Sequence, residues 1–225
     1  MTKQLINLDF YAMKPLSKFM FPFLLVPIIL GIVADLGTSI MVTLTFVAFM
    51  LNVLFSITER SNFNKLYGTL PIKKSAHILS RYLFSLIIIG ITAIVSFIIF
   101  TVLSILIKGN INWLYGIQYL SLSIFIAIFF ISIQYPFYYK FDYIKGSVMA
   151  ILPYIACFAI GIPLINQLMK NLVFYENVME VISYFQSNTV VLILMVLTLS
   201  LVLIMSSYLL SKKIQKKNFD LFMKI

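Results

Sequence analysis

Acidic side chains, histidine and cysteine are nearly missing from this chain: its 225 residues hold seven Asp and Glu together, one His and one Cys. Seven acids and one histidine leave too little material for a polynuclear metal site, and a lone cysteine excludes a disulfide framework or a cysteine redox pair. A stapled, secreted fold goes with them. Charge of either sign is scarce at 11%, whereas the hydrophobic class makes up 62% of the chain and the mean hydropathy is +1.05. No water-soluble domain tolerates that balance, so the sequence describes an integral membrane protein. The net charge of +10 does not imply a nucleic-acid partner. The basic residues lie scattered between apolar runs instead of gathered on one water-facing surface.

A bilayer core of roughly 30 Å needs about 20 apolar residues in a helix, because backbone polar groups inside it must be satisfied within the segment. Six stretches qualify: Phe19 to Leu36, Ser39 to Ile57, Tyr82 to Ile107, Ile117 to Tyr135, Ser147 to Ile165 and Thr189 to Leu210. None has Lys, Arg, Glu or His in its interior. Asp35 and Gly37 mark a tight turn that makes a hairpin of the first two. The first apolar run has no small-residue cleavage site after it and is read as retained.

Lys and Arg near span ends accumulate on the cytoplasmic side. Placing both termini inside puts 15 of the 17 basic residues there and leaves only Lys108 and Lys170 outside. With Asp9, Glu59, Asp142 and Asp220 inside and Asp35, Glu176 and Glu180 outside, the inner face carries +11 and the outer −1. Attraction to anionic lipid accounts for this basicity.

A charge at mid-bilayer costs about 2.5–3.5 kcal/mol on insertion scales, and where one is kept it marks an ion path, a proton relay or a voltage sensor. Its absence from every span argues against proton- or sodium-coupled transport. No HExxH pair, paired aspartates or GxSxG elbow is present for intramembrane hydrolysis. No GxxxxGK[ST] loop is present to hold ATP, so any ATP-driven work needs a separate ATPase polypeptide. His77 lies in a basic loop and is read as solvated or lipid-facing, and Cys157 as a packing residue.

The longest inner connection, Ile57 to Leu83, departs from the rest in polarity and punctuation. Glu59 and Arg60 leave the membrane, Phe63, Leu66 and Tyr67 form one apolar side of a short helix, and Gly68 stops it. Pro71 begins a fresh turn. Lys73, Lys74, His77 and Arg81 then space out along a helix running into the third span, within reach of phosphates or acidic side chains. A plain positive-inside loop with a proline turn explains the same residues equally well.

The run Glu59, Arg60, Phe63, Leu70, Pro71, Ile72, Lys73, Lys74, Arg81 and Tyr82 resembles the first cytoplasmic loop of ABC type-2 transporter permeases, the short bacterial branch above all. The resemblance implies six spans with both termini inside, no nucleotide-binding domain in the chain, and a coupling helix in this loop that docks into a cleft of a separate ATPase. Asn64 and Lys65 depart from a stretch that is often more acidic or glycine-rich. By size and character the chain also resembles the permease subunits of exporters for phenol-soluble modulins, small amphipathic cytolytic peptides.

Three further segments carry expectations. Thr2 to Lys14 forms an amphipathic helix along the inner membrane surface, with Asp9 interrupting its apolar side. Lys170 to Gln186 gathers Leu172, Phe174, Tyr175, Val178, Met179, Val181, Ile182 and Phe185 on one side of an outer interfacial helix, with Glu176 and Glu180 on the other. It either covers the exit of a pathway, as in the family it resembles, or anchors to the lipid surface. In the second span Thr45, Asn52 and Ser56 share one helix side, which faces a pathway or bonds a neighbouring helix. Pro153 and Pro163 add kinks to the fifth span.

The fold class expected is all-α: a polytopic membrane protein with six transmembrane helices, both termini cytoplasmic, and amphipathic interfacial helices. The single permease domain divides into an interfacial helix (1–18), spans 1–2 (19–57), a coupling segment (58–81), spans 3–5 (82–168), an outer helix (169–188), span 6 (189–210) and a basic tail (211–225). The function expected is the permease subunit of an ATP-driven exporter in the bacterial cytoplasmic membrane, moving an amphipathic or hydrophobic substrate such as a cytolytic or antimicrobial peptide. Its partners are separate ABC ATPase subunits, a second copy or similar permease subunit, and lipid. No catalysis and no cofactor belong to this chain, ATP and magnesium being held by the ATPase. Two alternatives stand beside it: the substrate-binding membrane subunit of a vitamin importer, and a non-transporting immunity or adaptor protein.

Overall fold

The computed structural model describes residues 2–20, 25–33, 35–60, 74–141 and 143–222. These residues are almost entirely helical. In chain order they form α1 (Thr2–Met20), α2 (Leu25–Val33), α3 (Leu36–Met50), α4 (Val53–Arg60), α5 (Lys74–Lys108), α6 (Trp113–Lys140), α7 (Tyr143–Ile155), a π-helical turn (Ala156–Gly161), α8 (Ile162–Leu168), α9 (Leu172–Ser187) and α10 (Thr189–Phe222).

Among the described residues, five stretches are long and apolar enough to cross a bilayer: Leu36–Ile57, Ser75–Ile107, Trp113–Lys140, Lys145–Leu168 and Thr189–Lys216. They contain the second to sixth spans expected from hydropathy. The expected first span, Phe19 to Leu36, includes the nine residues of α2, and positions 21–24 and 34 lie outside the described residues.

Asp35 explains where α3 begins. Its extended backbone leads into the helix, and its carboxylate accepts the Gly37 N–H at 2.9 Å while its carbonyl accepts the Thr38 hydroxyl at 2.8 Å. That satisfies donors which a helix N-terminus otherwise leaves orphaned. The Tyr115 hydroxyl also donates to the Asp35 carboxylate, tying the α3 start to α6. Glycine is required at position 37, since a Cβ there would come within 2.6 Å of the Tyr119 ring. Gly109, with φ of 68°, makes the left-handed turn between α5 and α6.

The core lies where α3, α5 and α6 meet, around Ile40, Leu44, Leu51, Leu54, Phe84 and Ile131. Hydroxyls join α10 to it: Tyr82 and Ser207 share a hydrogen bond at 2.6 Å, Tyr82 and Ser211 one at 2.9 Å, and Ser207 donates to the Ser132 carbonyl at 2.6 Å. Such bonds hold helices together where burial of apolar surface gives no preference for protein over lipid.

Two helices are interrupted. At Leu51 and Asn52 the ladder tightens, with the Asn52 N–H bonding the Phe49 carbonyl three residues back at 3.2 Å. The π turn lies between Pro153 and Pro163, and the Ile162 N–H reaches the Cys157 carbonyl five residues back. Proline has no N–H to give, so a register slip beside it is one way to keep the neighbouring groups bonded. The kink expected from these prolines takes this form.

Candidate functional site

A cavity of about 800 Å³ opens between α3, α6 and the α7–π–α8 run. Its walls are apolar: Met41, Phe46, Phe49, Ile126, Phe129 and Phe158 contribute, along with Cys157 and Gly161 of the π turn. That is the size and character of a site for a mainly apolar ligand. At one end Tyr154 stacks flat on Phe130, centroids 3.9 Å apart, while Phe49 meets Tyr154 edge-on at 5.4 Å.

Of the three polar residues expected to share a pathway side, Thr45 lines this cavity and spends its hydroxyl on the Met41 carbonyl at 2.8 Å. Asn52 and Ser56 are buried, 9% and 8% exposed, and do not line it. The tightened turn at Leu51 and Asn52 lies between them and Thr45, so a spacing computed for one straight helix does not carry across. Asn52 Oδ1 is buried without a hydrogen-bond partner.

The coupling segment is described only at its edges. Phe63, Leu66, Leu70, Pro71 and Lys73 lie outside the described residues; Glu59 and Arg60 end α4, and Lys74 opens α5. Arg81, seven residues into α5, differs from the expectation. It is 2% exposed, with its guanidinium 4.6 Å from the centre of the Phe55 ring and Nε and Nη2 without hydrogen-bond partners. An i, i+4 spacing places residues on one helix side but does not say what that side meets. Here it meets α4 and α1, so Arg81 is not a surface contact in this chain.

Its electrostatic neighbour is Asp9 of α1, itself 1% exposed with Oδ2 unpartnered. Burial lifts the Asp9 carboxyl from its ordinary value to about 6, and the positive charge of Arg81 opposes the rise only in part. Tyr135 and Tyr139 of α6 lie in the same field. Phe10 beside Asp9 packs edge-on against Phe84 of α5 at 4.8 Å. Sequence reading treated Asp9 as a flaw in an amphipathic face. A lone acid on that face, with one arginine near the end of a span, was the available signal.

At the other end, α9 is capped by Asn171, whose side chain accepts the Val173 N–H at 3.1 Å and the Phe174 N–H at 3.5 Å. Tyr175, Glu176, Met179 and Glu180 are all exposed on this helix, and α9 buries no residue against the rest of the chain. Gln118 of α6 donates to the Thr189 hydroxyl at 2.7 Å, fixing where α9 hands over to α10.

Among the described residues, no group of three or more His, Cys, Asp or Glu could hold a metal ion. No match to this chain is found among curated proteins or among solved structures. The family model of the ABC-2 family transporter proteins, however, matches residues 4–216. That span takes in every helix described here apart from the ends of α1 and α10, and on it the chain belongs to the ABC-2 family of membrane transporter permeases.

Proposed function

We propose that the chain is the permease subunit of an ATP-driven exporter, working in the bacterial cytoplasmic membrane with both termini inside. The observation that carries this reading is the apolar cavity of about 800 Å³ walled by two interrupted helices in a chain of the ABC-2 family. A passenger with a large apolar surface, an amphipathic peptide for example, suits such walls. Interrupted helices suit a wall that must rearrange, since a π turn or a tightened turn already departs from the straight ladder.

Separate ABC ATPase subunits would bind ATP and magnesium and supply the work, and a second copy or similar permease subunit would complete the pathway. The docking surface is drawn from Glu59, Arg60, Phe63, Leu66, Leu70, Pro71, Lys73 and Lys74, and omits the buried Arg81. On the opposite face Tyr175, Glu176, Met179 and Glu180 of α9 border the exit.

Replacing Phe63 and Leu66 together by Asp tests the reading, because a carboxylate forced into an apolar cleft without a partner is strongly unfavourable. Expected are normal membrane abundance, loss of the co-purified ATPase and loss of export. Wild-type co-purification and export would make this loop an ordinary connection and remove the coupling assignment.

A further inference from the structure

The apolar cavity has a shape as well as a size. α3 contributes Thr38, Met41, Val42, Thr45, Phe46 and Phe49 to it, at intervals of 3, 1, 3, 1 and 3, and the α7–π–α8 run contributes six residues from Tyr154 to Ile165 at the same intervals. Each set is one side of a helix, so two helical walls face each other across a slot backed by Ile126, Phe129 and Phe130 of α6. One end is closed: Phe49 meets Tyr154 edge-on and Tyr154 stacks on Phe130, the last two being 8% and 4% exposed. Along the front and toward the other end Val42, Phe158, Ile162 and Ile165 are exposed, so the slot opens outward.

Its dimensions limit what it takes. The helix rise from Thr38 to Phe49 is about 16 Å, close to half of the roughly 30 Å hydrocarbon core. Thr38 lies at the start of the membrane-length stretch Leu36–Ile57 and Phe49 near its middle, so the mouth is at one membrane surface and the closed end near the midplane. Beyond the mouth the chain turns polar, with Asp35 before α3 and Asn166, Gln167 and Lys170 after Ile165. A volume of about 800 Å³ shared along about 16 Å leaves a mean cross-section of about 50 Å², about 8 Å across. A helix with its side chains is about 10–12 Å across and enters only if the walls part. Extended hydrocarbon fits the walls as they stand.

The chemistry of the walls selects the filler. The Thr38 and Thr45 hydroxyls each bond a carbonyl one turn back at 2.8 Å, and the Tyr154 hydroxyl has Gln134 beside it, a residue that does not line the slot. Water needs about two to four polar partners to stay in a cavity, so this one is dry. Left empty, the slot would forfeit dispersion contacts over all its lining atoms. Its exposed front borders the hydrocarbon of the bilayer. We propose that the slot binds an acyl chain of a membrane phospholipid, drawn from the leaflet at the Asp35 end, with the terminal methyl against Phe49, Phe130 and Tyr154. The site goes beyond the export reading, since it needs neither an ATPase nor a passenger.

The test uses the purified full chain in nanodiscs of phosphatidylglycerol and phosphatidylcholine, doped with one of two photoreactive phosphatidylcholines whose diazirine sits at the terminal carbon of an acyl chain or next to its ester. Adducts are mapped by mass spectrometry against Leu201, 64% exposed, as reference. The terminal probe should label Phe130 and Tyr154 despite their burial, and the ester-end probe Thr38 and Ile165. Gly161 is on the wall between mouth and closed end, and a Cβ there meets nothing nearer than the Ala156 carbonyl oxygen at 3.6 Å. Gly161→Phe therefore plugs the slot. Terminal-probe labelling of Phe130 and Tyr154 should then fall at least about fivefold relative to Leu201, because tail and ring cannot share the space, while labelling at Thr38 persists.

Background labelling of Phe130 and Tyr154, labelling that the plug leaves unchanged, or the reverse order of the two probes along the slot overturns the proposal. So does a second copy as occupant, seen as a bismaleimide link between two chains through the lining residue Cys157 with Phe130 unlabelled. Should Gly161→Phe fail to insert, Val42→Phe narrows the slot from the facing wall and decides in its place. Lipid labelling in a chain that exports nothing would sustain the site and remove the export reading. Export without lipid labelling would do the reverse.

Discussion

The α3–α4 and α6 segments differ from α7–α8 and α10 in a way that hydropathy conceals. All are strongly apolar, yet 56% and 44% of the most apolar stretches of the first pair is buried inside the chain and only 11% of each of the second. Apolar character therefore records that a helix sits in hydrocarbon, not whether lipid or protein surrounds it. In lipid the two are nearly equivalent for a leucine, so polar groups mark what the inward sides meet: Asn52 and Gln134 are buried in the first pair, Asp9 and Arg81 in α1 and α5 beside it, and α10 joins this interior through serines such as Ser207 and Ser211.

The sharpest break in this contrast is Arg81→Ala. Removing the guanidinium strands the Asp9 carboxylate in the interior and opens the face of Phe55. A loss of about 3–5 kcal/mol is expected in thermal unfolding of the detergent-solubilised chain. Asp9→Leu combined with Arg81→Met should recover most of it, since no charge is then left buried. Failure of the pair to recover would show that Arg81 acts through packing alone.

A smaller effect comes from pH. The Asp9 carboxyl titrates near 6 in the folded chain against 3.8 for the free group. Between those values the folded chain holds a proton that the unfolded one has released, so stability falls as pH rises from about 4 to about 6 and is level on either side. The shift corresponds to about 3 kcal/mol across the window. Unfolding temperature followed from pH 4 to 7 should show this slope, and Asp9→Asn should flatten it. An unchanged slope in Asp9→Asn would place the titrating group elsewhere.

Tyr82→Phe removes one hydroxyl from the α5–α10 contact while Ser207 keeps the Ser132 carbonyl. About 1 kcal/mol is expected, again from thermal unfolding. The smallest effect belongs to the lipid-facing half: Leu201→Ala, at a position 64% exposed, should change stability by less than about 0.5 kcal/mol. A larger loss, accompanied by dissociation of an oligomer on size-exclusion chromatography, would show that another polypeptide covers α10.

Helix existence was legible because it is local. The long apolar runs, the Asp35–Gly37 turn, the helix after Asn171 and the effect of Pro153 and Pro163 all follow from what a few neighbouring residues do to one backbone. Site residues were less legible. Thr45, Asn52 and Ser56 share a side only on an unbroken helix, and the tightened turn at Asn52 separates the first from the others. Tyr154 gave no signal, being one aromatic residue in a long apolar run, and Arg81 looked like a surface charge because positive residues crowd the same connection.

Residue composition and order by themselves determined that this chain is helical, that it lies in a membrane, where most of its apolar helices run and which transporter family it resembles. These depend on free energies summed along a segment: transfer of side chains to hydrocarbon and satisfaction of backbone groups within each helix. Tertiary structure alone decided which polar side chains turn inward, that Asp9 and Arg81 share one buried field, and that Thr45 and Tyr154 line one cavity. Those outcomes depend on neighbours from distant parts of the chain, whose approach is set by how whole helices pack, and no window of sequence contains both sides of such a contact.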